Sequence, residues 1–212
     1  MERFAKQLHI TGGVTAIIGS GGKTTLLYTL ARELSRKGSV LVATTTHIWK
    51  PEHLPVASET GPVEGVLCVG TPMENGKLTA PKQSFDELEN LADYVLVEAD
   101  GSKGLPLKAH ASHEPVIPGN ARQVICVVGA SGLGKPVCEV VHRPEIFTRI
   151  TESDIASPEA VARVLEKEKL HTRVLINQVD TPERETLARE LADCLSCPVV
   201  LAALQKGEII CL

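Results

Sequence analysis

The sequence predicts an α/β fold, a mainly parallel sheet with helices on both faces. Three observations carry this. Short aliphatic runs alternate with amphipathic or charged segments along the whole chain. The first of those runs passes through a glycine-rich turn straight into a helix-forming segment. Hydrophobic residues make up 43% of the 212 positions and are mostly aliphatic, enough for the core of one domain over residues 1–212.

In order, the aliphatic runs place strands at Val14–Ile18, Val40–Thr44, Val66–Val69, Tyr94–Glu98, Val124–Val128, Val174–Asn177 and Val199–Ala203. Helical patterns cover Thr24–Arg36, Ser84–Leu91, Pro158–Lys167 and Pro182–Leu195. Ser157 and Thr181 each precede a proline, so both read as N-caps with proline at the first helical position. Residues 51–81 are rich in Pro, Gly and Thr and break the strand–helix rhythm, which points to a small irregular or antiparallel insertion. Residues 101–120 carry three prolines and two histidines directly after a sheet strand, the composition of a long functional loop.

Composition narrows the function classes. A net charge of −4 and an aromatic content of 3% argue against a nucleic-acid partner. No apolar run approaches the ~18 residues of a membrane span, and the first residues lack a signal-peptide core, so the expectation is a cytoplasmic protein with no membrane partner. Cys68 and Cys126 sit inside aliphatic runs and read as small buried hydrophobes of a reducing compartment. Cys194 and Cys197 form a C-x-x-C with no second pair at metal spacing, which favours a structural reading over a redox or metal one.

The densest chemical signal is Gly19-Ser20-Gly21-Gly22-Lys23-Thr24-Thr25. Glycines let backbone N–H groups approach phosphate oxygens, a lysine reaches the β- and γ-phosphates, and a threonine hydroxyl ligates Mg²⁺. The helix that follows directs the positive end of its dipole at the same anion. Ile17 stands where the full Walker spacing has its first glycine, leaving the shorter G-x-x-G-K-T-T form. The fold expectation sharpens to a P-loop NTPase-like sheet binding GTP or ATP with Mg²⁺. In such sheets ligands sit at the carboxyl ends of the strands. Three ends are polar. Thr44-Thr45-Thr46-His47 offers hydroxyls for Mg²⁺ or the γ-phosphate, although threonine favours strands anyway. Glu98 and Asp100 close an apolar strand, where an acidic residue holds a metal-bound water or orients the attacking one. Glu98 to Gly101 also has the Glu-x-x-Gly pattern in which the glycine N–H senses the γ-phosphate. Asn177 and Asp180 have the spacing of a guanine-reading Asn-Lys-x-Asp motif, with Gln178 in place of the lysine. GTP is favoured on that spacing and ATP stays open. Gly132-x-Gly134-Lys135 is rejected as a second phosphate loop because Pro136 occupies the threonine position.

Residues 19–25, 44–47 and 97–104, together with Lys108 to Pro118, His142-Arg143-Pro144-Glu145 and 177–180, resemble the YqeC family from about residue 10 to 205. Members of that family are described as accessory proteins for selenium-dependent molybdenum hydroxylases. The resemblance implies a P-loop domain working in maturation of a molybdenum or selenium cofactor, with a molybdenum hydroxylase or cofactor-maturation protein as partner. Its phosphate loop falls on Gly19–Thr25 and its acidic strand end on Glu98 and Asp100. His113 and Glu114 enter as substrate or switch candidates on the resemblance and on their loop position, and Lys103 and Lys108 as cations for phosphate or an anionic substrate. The favoured function is nucleotide hydrolysis with switch-like loops at 44–49 and 98–104. A transferase or ligase that activates a small anionic substrate, and a nucleotide-bound adaptor without turnover, are the alternatives.

Overall fold

Every one of the aliphatic runs is a strand in the computed structural model, which describes residues 3–211. The structure is mixed α/β with a mostly parallel main sheet. The chain falls into two compact units: the first holds residues up to Ile17, then Thr24–Gly101 and Val116–Val124, and the second holds Ile18–Lys23, Ser102–Pro115 and the chain from Ile125 onward.

In the first unit, strand Gly13–Gly19 enters beside Tyr94–Glu98, which pairs on its other side with Val40–Thr44, followed by Val66–Val69 and Val56–Ala57. All of these pairs are parallel, and near-continuous aliphatic runs are what strands buried on both faces require. The register aligns both Ile17 and Thr44 with Glu98, so Val40–Thr44 and Tyr94–Glu98 end level while the first strand runs on to Gly19. Helix Lys23–Leu34 buries Leu26, Leu27, Leu30, Ala31 and Leu34, one stripe at helical spacing. It starts one residue earlier than predicted and stops before Ser35. A core of Val14, Leu41, Val69, Leu88, Val95 and Val97 fills this unit.

The predicted insertion is a three-stranded antiparallel sheet of His47–Trp49, Lys77–Thr79 and Thr71–Pro72. It begins before residue 51, so His47 opens this sheet. Helix Phe85–Glu89 is shorter than the predicted Ser84–Leu91, because Ser84 is its N-cap and Glu87 completes a capping box.

In the second unit, Gln123–Gly129, Arg173–Asn177 and Val199–Ala203 run parallel, and Glu208–Ile210 closes the edge antiparallel. Ser157 and Thr181 cap helices Pro158–Glu168 and Pro182–Asp193 as the sequence predicts, each hydroxyl accepting an N–H from the first turn. Helix Pro144–Thr151 and a short ribbon pairing Leu107–Lys108 with Val141–His142 complete the unit. Among the described residues no helix is long and apolar enough to cross a membrane.

Candidate functional site

The glycine loop is a turn of three residues, Ser20 to Gly22, between strand Gly13–Gly19 and helix Lys23–Leu34. Gly19, Gly21 and Gly22 have φ of 88°, 86° and 133°, conformations that L side chains rarely adopt. Packing adds a second constraint within the second unit. A Cβ on Gly19 would strike the Val127 carbonyl, one on Gly21 the backbone of Gly129, and one on Gly22 the amide of Asn177. The Ser20 N–H donates to Val127 O at 2.8 Å and its hydroxyl to Leu105 O, so Ser20 anchors the loop from below.

Lys23, 4% exposed, folds its Nζ back over this turn, donating to Gly19 O at 2.7 Å and Ser102 Oγ at 3.3 Å. Asn177 is buried and braces the loop from the other side. Its Nδ2 donates to Gly21 O at 2.7 Å, while its Oδ1 accepts from the Leu204 N–H at 3.0 Å. No acidic residue of the helix itself stands in its first turn, whose positive dipole end favours an anion.

One peptide bond further on, in the first unit, Thr24 donates from Oγ1 to Glu98 Oε2 at 2.9 Å. The same Glu98 organises the threonine cluster through its backbone. Its carbonyl accepts from Thr44 Oγ1 at 2.8 Å and from the Thr45 N–H at 3.1 Å, and Thr44 Oγ1 in turn accepts from the Thr46 N–H at 3.0 Å. The Thr45 hydroxyl oxygen is buried without a hydrogen-bond partner among the described residues. Such a group costs about 1–3 kcal/mol until a water or ligand satisfies it. Tyr28 lies close enough to feel this carboxylate: burial first, then the negative fields of Cys68 and Glu98, push its hydroxyl up to about 12.

Other candidates are placed differently. Asp100 is wholly buried, Gly101 is exposed, and Thr25 is half-buried on the helix. His47 is exposed on the antiparallel sheet, opposite Thr79. Asp180 accepts from Arg184 Nη1 at 2.8 Å one helical turn on, and Gln178 accepts from Ser131 Oγ at 2.5 Å. Lys103 is an exposed turn residue with φ of 50°.

Glu114 is the centre of an ion cluster in the second unit. Arg143 grips it with two hydrogen bonds, at 2.9 and 3.1 Å, and the fully buried Lys108 ammonium stands 3.0 Å away. The Arg143 bonds, seconded by Lys108, hold the carboxyl down at about 2. His113 is exposed and reaches Arg143 only at 3.5 Å. Burial, then the charges of Lys108 and Arg143, keep His142 below its ordinary value, so it is neutral at pH 7. In the C-x-x-C, burial raises the Cys197 thiol, the opposite of what a thiolate nucleophile or ligand needs.

The sequence did not single out Ser102, Tyr28 or the bracing role of Asn177. Ser102 and Tyr28 carry no motif, and the Asn-x-x-Asp spacing points Asn177 at a base, while its partner Gly21 lies 156 positions away where no local pattern shows it.

The YqeC protein family model matches residues 15–145. The chain belongs to the YqeC family. The match takes in the glycine loop, Glu98, Asp100, Lys108, Glu114 and Arg143 and ends before Asn177, so it is narrower than the resemblance from about residue 10 to 205. A curated YqeC relative, "Uncharacterized protein YqeC" of Escherichia coli (strain K12), is 40% identical over 156 residues, covering 65% of this chain. The match spans 60% of that relative's own length.

Proposed function

We propose that this chain binds a Mg²⁺–nucleoside triphosphate on the Gly19–Thr25 loop, P-loop fashion, and hydrolyses it. The observation that carries the reading is the 2.9 Å hydrogen bond from Thr24 to Glu98, directly after a loop of three positive-φ glycines and a buried lysine. A hydroxyl and a carboxylate in mutual contact fit a small hard cation that takes one or two protein oxygens and fills its shell with water and phosphate. Bound there, Mg²⁺ would screen the charge on the β- and γ-phosphates, which is the main requirement of phosphoryl transfer.

The chain's own groups supply the rest. Gly21 and Gly22 keep side chains away from the turn that cradles the phosphates, and Asn177 and Ser20 hold that turn in shape. Lys23 already points its ammonium over the loop, and a phosphate oxygen can replace Gly19 O as its acceptor. Thr24 and Glu98 would hold the metal. The Thr45 hydroxyl, buried beside the Glu98 backbone, supplies a donor for a phosphate oxygen or the attacking water. Because Thr44, Thr45 and Thr46 hang on the Glu98 carbonyl and its neighbours, movement at the carboxylate is passed to residues 44–46, which makes that segment the switch.

Within this reading the chain serves maturation of a selenium-dependent molybdenum hydroxylase or its cofactor. That part rests on the family resemblance, whose curated relative is itself uncharacterized. The test is phosphate release from ATP and from GTP with Mg²⁺, compared across the wild type, Lys23→Ala and Glu98→Gln. Turnover in the wild type that falls at least about a hundredfold in both variants supports hydrolysis at this site. Turnover unchanged by Lys23→Ala would exclude it.

A further inference from the structure

A groove of about 650 Å³ runs along the outer face of helix Lys23–Leu34 in the first unit. That volume lies within the range of small-molecule sites. Thr24, the hydroxyl bonded to Glu98, stands at one end, and Arg32 lies about 12 Å along at 1.5 Å rise per residue, with Ser35 beyond it. The Tyr28 ring, Leu54 and Val66 give the groove an apolar wall. Two polar groups in it are without partners: neither the Arg32 guanidinium nor the Tyr28 hydroxyl makes a hydrogen bond or ion pair with the described residues. Glu52 and His53 stand at the exposed rim, and neither engages Arg32.

We propose that this groove is a second small-molecule site, taking an organic anion with an apolar or aromatic body whose carboxylate, sulfonate or phosphate pairs with Arg32. The helix stripe explains why the face is built this way. Leu26, Leu27, Leu30, Ala31 and Leu34 turn inward to the core, so Thr25, Tyr28, Thr29 and Arg32 line a row at helical spacing on the open side. The aromatic body stacks on Tyr28, and the planar fork of Arg32 suits an oxyanion better than a point charge would. The other end of such a ligand lies beside Thr24. Its position next to a reacting phosphate rests on the triphosphate reading, whereas the binding of the anion does not.

The test uses 8-anilinonaphthalene-1-sulfonate, an aromatic body with one anionic group, and its uncharged counterpart N-phenyl-1-naphthylamine, titrated by fluorescence without nucleotide. The expected result is saturable binding of the sulfonate at one site, weakened about tenfold by Arg32→Ala, with the uncharged probe bound equally by both proteins. Thr29→Trp, which fills the groove from a half-buried position on its helical wall, abolishes both signals. Mg²⁺–ATP leaves the probe in place. No saturable binding, equal sulfonate affinity in Arg32→Ala, or retention by Thr29→Trp would each overturn the proposal. So would competitive displacement by Mg²⁺–ATP, which assigns the groove to the nucleotide itself. Failure of the triphosphate reading shows instead in the Lys23→Ala turnover assay and leaves this titration intact.

Discussion

At the scale of single residues, Glu98 holds two jobs, and they separate by substitution. Its carboxylate meets Thr24, while its carbonyl carries Thr44 and Thr45. Glu98→Gln keeps the carbonyl, so the Thr44–Thr46 cluster survives and the loss falls on metal-dependent turnover. Glu114 is the contrasting acidic residue, spent on Arg143 and Lys108. With its folded carboxyl at about 2 against an ordinary 4.5, it stabilises the fold fully above pH 4.5 and loses that contribution as the pH falls toward 2. Chemical denaturation across that window is expected to show a steeper acid decline in the wild type than in Glu114→Gln. The variant is also less stable at pH 7 by about 3 kcal/mol, because the buried Lys108 ammonium loses its counter-charge. Neither role of these two carboxylates was separable in the sequence. Glu98 ends an apolar strand and Glu114 lies in the loop that follows it, and only their partners, Thr24 and Arg143, 74 and 29 positions away, set the two carboxylates apart.

At the scale of elements, what was legible is what local chemistry decides. Ser157 and Thr181 before proline announced their helices, and aliphatic runs announced their strands. Ser157→Ala is expected to cost about 1 kcal/mol, lowering Tm by a few degrees in a thermal melt. Two helices that escaped prediction have no side-chain cap from a neighbouring residue. Helix Arg3–Gln7 is only five residues long, and its N–H groups are capped by Glu33, about thirty positions later. Helix Pro144–Thr151 starts at Arg143 in a left-handed conformation, φ 68°, with no side-chain cap to read. The glycine loop was legible as chemistry, yet the reason its glycines are needed was not. Gly21 and Gly22 are kept clear by Gly129 and Asn177, so Gly21→Ala is expected to destabilise the fold by more than about 1 kcal/mol even without nucleotide, measured by denaturant titration.

At the scale of the molecule, the helix Lys23–Leu34 links the glycine loop, the core of the first unit and the groove. Its start carries Lys23 and Thr24, its inner face builds the core of the first unit, and its outer face lines the groove to Arg32. A ligand that binds only the folded chain raises its stability by mass action, about 2.7 kcal/mol at a hundredfold excess over Kd. Mg²⁺–nucleotide is therefore expected to raise Tm in the wild type and to have no effect on Lys23→Ala. The most direct measurement is isothermal titration of ATP and GTP into the wild type, Lys23→Ala and Glu98→Gln, with and without Mg²⁺. Expected are Mg²⁺-dependent, one-to-one binding by the wild type, loss of binding in Lys23→Ala, and loss of the Mg²⁺ dependence in Glu98→Gln. Absence of binding to either nucleotide at millimolar concentration, or equal affinity in wild type and Lys23→Ala, would contradict triphosphate binding at this loop.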